Sequence, residues 1–181
     1  MPMNRYSGVT MLIHWAIAIL VIVNWRIAET AEHLPEEEAG AIMTNHFSVG
    51  VTILVLILLR LAWRIVHRPP PLAAHLAGWE RALAKTTHTL FYVLLIVMPL
   101  AGWVAMSSFG RGVPVWGLFE LPPLPVSENM ERGMAIFEIH ATAGMVLLGL
   151  IAIHVLGTLK HTLIDKDGNL FRMLPFGTPK A

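Results

Sequence analysis

Between Ile136 and Leu159 the chain reads IFEIHATAGMVLLGLIAIHVLGTL, an apolar run that is interrupted by two histidines, His140 and His154. A helix needs about 20 mainly apolar residues to cross a bilayer, so this run predicts a transmembrane helix. The two histidines are 14 residues apart, which is just under four helical turns, so they project from nearly the same face. Their separation along the helix axis is about 21 Å, which places one histidine toward each membrane surface. Ionisable residues inside a span are costly and therefore indicate a function.

Three further apolar runs precede this one. The chain has 181 residues, of which 55% are hydrophobic and 14% charged, whereas ordinary soluble domains are about 25% charged. We therefore predict an all-α, integral membrane four-helix bundle that forms a single domain over residues 1–181. Pro99 lies inside the third run and is expected to kink that helix without ending it. The predicted spans are residues 9–28, 47–66, 90–108 and 136–159.

The distribution of lysine and arginine predicts the orientation of the spans. The segment between the first two spans is acidic and has no lysine or arginine after Arg26. The segment after the second span and the C-terminal tail are basic, so both termini and the middle connection are expected to be cytoplasmic. The third connection is expected to form a rigid lid at the opposite surface, with Trp116 at headgroup depth. The basic residues behind this orientation are Arg60, Arg64, Arg68, Arg81, Lys85, Lys160, Lys166, Arg172 and Lys180.

The composition also limits the cofactors that the chain can hold. There is no cysteine, which excludes disulfides, iron–sulfur clusters, thiolate ligands and covalently attached c-type haem. Nine histidines are present, so a metal or haem would be held by histidine, carboxylate or methionine. The net charge of +1 gives no reason to propose nucleic-acid binding.

The four predicted spans place histidines in pairs at two depths. His14 lies near the cytoplasmic end of the first span, level with His154, and His46 lies near the outer end of the second span, level with His140. Neutral imidazole is a good ligand for haem iron, and two such pairs are what two stacked bis-histidine haems require. We therefore predict two b haems, held by His14 with His154 and by His46 with His140. His88, at the cytoplasmic start of the third span, could replace His14.

Small residues follow these histidines on the same helix faces. Gly50, Gly144 and Ala18 lie four residues after His46, His140 and His14, and Gly157 lies three residues after His154. A flat porphyrin against a helix needs such residues, although small residues are also common in ordinary helix packing in membranes. Three alternatives remain open: histidines that only hydrogen-bond helices together, a zinc site, and a haem-free transporter. A zinc site is the weaker alternative, because zinc needs four converging ligands and these histidines lie at two depths.

Several short elements occur together along nearly the whole chain, and their combination resembles the bacterial cytochrome b561 family. This resemblance implies a four-helix membrane protein with two b haems and the same two histidine pairs. The C-terminal segment and the length most resemble family members that oxidise superoxide and reduce ubiquinone. The elements are Arg5-Tyr-Ser7 before His14-Trp15, His46 with Gly50, Lys85-x-x-His88 before Phe91-Tyr92, Pro99-x-x-Gly102, His140 with His154, and Leu170-Phe-Arg-Met-Leu-Pro175.

The resemblance further implies superoxide oxidation at the outer side of the bacterial inner membrane and ubiquinone reduction at the cytoplasmic side. It places His88 and His161 near the quinone, and His75 stands where a lysine would be expected. Quinone carbonyls need hydrogen-bond donors and a proton relay, roles open to His88, His161, His75 and Lys85. His161 itself is expected near the surface, one turn beyond the fourth span.

Two further expectations concern the electron donor. Superoxide is an anion, so Arg111 and Arg132 in the third connection are expected to attract it. The alternative function is an electron-carrying subunit of a hydrogenase- or dehydrogenase-type complex. In that case a protein donor would dock on the apolar third connection.

Overall fold

The computed structural model of the protein describes residues 5–72 and 76–178. Four long helices dominate it, and each is long and apolar enough to cross a membrane. The prediction of an all-α, membrane-spanning four-helix bundle is confirmed. A two-stranded β-hairpin joins the third helix to the fourth, and two short helical turns follow the fourth. The elements are α1 (Gly8–Glu32), α2 (Glu36–Val66), α3 (Gly78–Ser108), β1 (Val113–Val115), β2 (Phe119–Leu121), α4 (Met130–Leu159), a π-helical turn (Lys160–Ile164) and a 3-10 turn (Asn169–Met173).

The helices extend beyond the predicted apolar spans, most clearly at the start of α2. This helix begins at Glu36, directly after Pro35, and carries three glutamates in its first turn. Negative charge is favourable at a helix N-terminus, where the unpaired N–H groups and the helix dipole are positive. The acidic segment predicted as a connection is therefore largely helical, because hydropathy reports only the apolar part of a helix. As predicted, α3 continues through Pro99 without a break.

The helices alternate in direction, so the two ends of the bundle differ. At one end the Tyr6 N–H donates to the Arg172 carbonyl at 3.1 Å, and Arg172 Nη2 donates to the Pro71 carbonyl at 2.6 Å. The start of α1, the α2–α3 connection and the segment after α4 therefore meet here, and we call this the termini end. The opposite end carries the α1–α2 connection and the β-hairpin, and we call it the hairpin end.

The bundle consists of two helix pairs with a space between them. Close backbone contacts are extensive between α1 and α2 and between α3 and α4, and fewer between α2 and α3. Among the described residues, α4 has hardly any such contact with α1 or α2. At mid-depth the space is filled by aliphatic side chains, and Leu147 lies midway along α4 between His140 and His154. This central apolar cluster consists of Ile17, Val21, Val49, Ile53, Ile57, Leu95 and Leu147.

The β-hairpin closes the hairpin end and was not predicted as strands. Val113 pairs with Leu121 and Val115 with Phe119. Trp116 and Gly117 both have positive φ, 53° and 68°, as a type I′ turn requires. Trp116 is strained in this conformation because it has a Cβ. Its contacts with α2 offset the strain.

Ser48 of α2 anchors the hairpin, which leads to a first prediction. Ser48 is 1% exposed, and its hydroxyl accepts a hydrogen bond from the Trp116 N–H at 2.8 Å. Ser48→Ala leaves that N–H without its acceptor, at an expected cost of about 1 kcal/mol in local stability. Hydrogen exchange at the Trp116 amide should therefore be roughly fivefold faster.

Ser107 provides the matched control for this experiment, since its hydroxyl accepts from the Leu124 N–H at 3.0 Å. Ser107→Ala should speed exchange at Leu124 and leave Trp116 unchanged. Unaltered exchange at Trp116 in the Ser48 variant would show that the hydrogen bond does not hold the hairpin.

Candidate functional site

At the hairpin end, His46 of α2 and His140 of α4 face each other with ring centres 6.0 Å apart. His46 Nδ1 lies 3.2 Å from the Asn24 carbonyl oxygen, and His140 Nδ1 lies 3.1 Å from the Met98 carbonyl oxygen. A carbonyl oxygen only accepts, so each Nδ1 is the nitrogen that carries the proton and donates. Each Nε2 is thereby left with a free lone pair, which is the form of histidine that binds a metal.

At the termini end, three histidine rings lie near one another. His14 of α1 and His154 of α4 have ring centres 6.3 Å apart, and His88 of α3 lies 5.6 Å from His154. Arg60 Nη1 lies 2.9 Å from His14 Nδ1. Arginine only donates, so this contact suits a ring whose proton is on Nε2. Metal binding through His14 Nε2 therefore requires Arg60 to turn away.

The distances within both pairs fit two imidazoles on opposite sides of one iron. An imidazole nitrogen lies about 2 Å from a bound metal, and the ring centre lies about 1 Å further, which gives about 6 Å between ring centres. The observed 6.0 Å and 6.3 Å agree with this value. The two pairs lie at opposite ends of α4 with the central apolar cluster between them. The four histidines therefore do not converge as a tetrahedral zinc site would need.

Small residues of α4 leave open space beside His140 and His154. A Cβ built on Gly157 would meet nothing within 4 Å, and one built on Gly144 would meet only Met98 Cε, at 3.7 Å. His154 faces His14 across the gap between α4 and α1, whereas His88 is on α3, which packs directly against α4. A porphyrin has to lie between the helices that bear its ligands. The packing therefore favours His14 over His88 as the partner of His154.

The candidate quinone residues lie at the termini end but differ in their surroundings. Lys85 and His88 are both exposed on α3. The side chain of His161 is 16% exposed and is held by Asp165 and Asp167, so it is less exposed than its position beyond the fourth span suggested. The apolar pattern could not reveal these contacts, because they form in and after the π-helical turn that follows α4. His75 lies outside the described residues.

Arg132, predicted to attract superoxide, is engaged within the protein. Its Nε donates to Ser108 Oγ at 3.1 Å, and its Nη2 donates to the Ser127 carbonyl. This side chain therefore links the start of α4 to the end of α3 and the hairpin segment. These contacts indicate that Arg132 anchors the start of α4, and they explain the residue more directly than an interaction with superoxide does.

Comparison with known proteins agrees with the fold. The family of prokaryotic cytochrome b561 matches residues 5–176. The chain is 28% identical to a probable superoxide oxidase, CybB, of Yersinia pestis, over 95% of this chain and 97% of that protein. It is 27% identical to cytochrome b561 homolog 1 of Escherichia coli, over 96% and 98% of the two chains. It is also 27% identical to a cytochrome b562 of Cereibacter sphaeroides, over 93% and 94%.

The class of protein is therefore a multi-pass membrane cytochrome that transfers electrons. The chain belongs to the prokaryotic cytochrome b561 family, and membership of this family implies haem b.

Proposed function

We propose that this chain is a di-haem cytochrome of the bacterial inner membrane that oxidises superoxide and reduces ubiquinone. His46 with His140 and His14 with His154 are the proposed axial ligands. The observation that carries the proposal is the presence of two histidine pairs at iron-bridging distance, both in the gap between the helix pairs. Superoxide and ubiquinone are supported by the family resemblance and by the name of the Yersinia pestis relative.

The proposed orientation places the termini end in the cytoplasm, because basic residues concentrate there. Arg60 and Arg64 lie in the last two turns of α2, and Lys85 lies near the start of α3. The hairpin end carries the glutamates at the start of α2 and would face the periplasm. Superoxide would therefore give up its electron at the hairpin end, and ubiquinone would be reduced at the termini end.

The proposed reaction balances with two superoxide ions for each quinone. Each superoxide loses one electron and becomes dioxygen, and two electrons with two protons convert one ubiquinone to ubiquinol. Haem held by His46 with His140 and by His14 with His154 would supply a one-electron iron couple. The chain itself contributes the ligands, the closed hairpin end, and hydrogen-bonding groups for the quinone at the termini end.

A superoxide pulse tests this function. In stopped-flow absorbance the purified, haem-loaded protein should become reduced during the pulse, because each superoxide ion would give it one electron. Excess ubiquinone should then reoxidise it. Protein that stays oxidised through the pulse would reject superoxide as the donor, and reduction without reoxidation would reject ubiquinone as the acceptor.

The exposed hairpin favours a second candidate, an electron-transfer subunit that receives electrons from a protein. Leu118 is 80% exposed, Phe119 57% and Trp116 51%. Such an apolar tip could contact lipid headgroups or a docked protein donor. A protein that is inert to superoxide but co-purifies with a hydrogenase- or dehydrogenase-type partner would support this candidate.

A further inference from the structure

Glu138 lies inside the fourth span but faces away from the bundle. It is eight residues after Met130, the first residue of α4, and therefore about 12 Å along the helix. The residue is exposed, and it has no hydrogen-bond or ion-pair partner among the described residues. Ionisable residues at such a depth are costly and almost always face other protein or water. A carboxylate that faces lipid therefore indicates a partner outside this chain.

The Glu138 carboxylate lies in an outward-facing groove between α3 and α4, which we call the acidic groove. Its walls are apolar, and Thr142, one turn deeper in the membrane, adds a hydroxyl. Helices in a membrane associate through close packing and interhelical hydrogen bonds, and this groove offers both. It is lined by Leu94, Glu138, Ile139, Thr142, Ala143 and Val146.

A second outward-facing groove, between α1 and α2, carries one cation and is called the basic groove. The side chain of this cation, Arg26, is 61% exposed, and its Nη1 donates to Glu29 Oε2 at 2.5 Å. Within residues 5–72 and 76–178 no other nitrogen of this guanidinium donates, so Nε and Nη2 are available to a second carboxylate. The groove is lined by Ile22, Val23, Arg26, Ile27, Thr30 and Ile42.

The two charges lie at the same depth. His46 contacts the Asn24 carbonyl and faces His140, which sets the relative heights of α1, α2 and α4. Arg26 is two residues beyond Asn24, and Glu138 is two residues before His140. Each charge therefore lies about 3 Å nearer the hairpin end than this level. Copies of a membrane protein share one orientation, so Arg26 of one copy can meet Glu138 of another without a change in depth.

We propose that copies of this chain associate in the membrane, with the acidic groove of one copy against the basic groove of the next. Arg26 donates to the Glu138 carboxylate across this contact and compensates a charge that would otherwise face lipid. Two acidic grooves would bring two carboxylates together, so the association is head to tail. Head-to-tail contacts build rows or rings, whereas a two-fold contact closes at a dimer. This association does not depend on the identity of the electron donor or acceptor.

Disulfide cross-linking tests the proposal, because the chain has no cysteine of its own. Ile22 and Thr142 line the two grooves, each one turn deeper than its charged residue, so cysteines there would meet with both charges in place. Ile22→Cys and Thr142→Cys, with different tags, would be co-expressed, loaded with haem and oxidised in bacterial membranes. We expect a heterodimer with both tags and hardly any homodimer of either variant. One chain with both substitutions should form trimers and longer multimers.

A position outside the groove and a change of charge control this experiment. Ala141→Cys in place of Thr142→Cys should give little heterodimer, because Ala141 is exposed at nearly the same depth but points about 100° away around α4. Glu138→Leu in the Thr142→Cys chain should lower the heterodimer yield about fivefold or more, as expected for one lost interhelical hydrogen bond. Reduced-minus-oxidised spectra of the same membranes show whether each variant holds haem.

Each result supports or overturns the proposal. Absence of the heterodimer in haem-loaded protein would overturn it, as would equal cross-linking through Ala141→Cys. Homodimers of Thr142→Cys alone would show that two acidic grooves meet, which excludes the head-to-tail contact. A yield unchanged by Glu138→Leu would show that the charge pair does not hold the copies together. Should Glu138→Leu fail to load haem, Arg26→Leu in the Ile22→Cys chain decides, with the same expected decrease.

Discussion

His140→Ala should lower the haem content from two per chain to one and leave the remaining haem low-spin. His140 provides one of the two proposed ligands at the hairpin end, and the central apolar cluster separates that end from the other pair. The two histidines of α4 are about 21 Å apart along the axis, so loss of one site should spare the other. His154→Ala should have the converse effect. Pyridine haemochrome and protein assays on one sample give the stoichiometry, and reduced-minus-oxidised spectra identify the haem that is lost.

The same assay decides between His14 and His88. We expect His14→Ala to abolish low-spin haem at the termini end and His88→Ala to retain it, because α3, which bears His88, packs directly against α4. His33→Ala, in the connection between α1 and α2, is the control for a histidine distant from both pairs. Wild-type protein with one haem per chain at full loading would contradict the two-site proposal. Loss of the haem in His88→Ala alone would replace His14 with His88.

Gly144→Val should remove most of the haem at the hairpin end while the bundle remains folded. A Cβ at this position meets only the flexible end of Met98, so the protein itself can accommodate a larger side chain. Gly144 lies one turn from His140 on the same face, where the added methyl groups would occupy the place of a porphyrin. Haem quantification and circular dichroism of the same sample separate loss of haem from loss of fold.

Gly149→Val is the matched control for Gly144→Val. Nothing lies within 4 Å of a Cβ at Gly149. Gly149 follows His140 by nine residues, or two and a half turns, and thus lies on the opposite face of α4. It should keep both haems. Full haem content in Gly144→Val would show that the space beside His140 does not receive the porphyrin.

The membrane fold and the histidine pairs could be predicted from the sequence because both depend on simple periodicities. Apolar length gave the four spans, and the 14-residue interval between His140 and His154 placed them on one face at two depths. His14 and His46 then followed from the alternating direction of the helices. The structure brings each of them to within about 6 Å of its expected partner.

Features that depend on local hydrogen bonds could not be predicted in the same way. The hairpin has strands of three residues each, and a buried serine on a distant helix holds its turn. The π-helical turn draws His161 inward, although its position just beyond an apolar run suggested the surface. Asp165 and Asp167, which hold His161, were not predicted, although they follow it in the chain by only four and six residues.

The buried side chains of the central apolar cluster are all aliphatic, so they offer no hydrogen-bonding group to a proton. An electron that passes this level therefore travels without a compensating positive charge. In the proposed orientation, negative charge enters from the periplasm while protons are taken from the cytoplasm. Turnover would then be electrogenic and make the cytoplasm more negative. An existing membrane potential would oppose it by about 2.3 kcal/mol per elementary charge for each 100 mV. Removal of superoxide would in this way be coupled to the energy state of the cell.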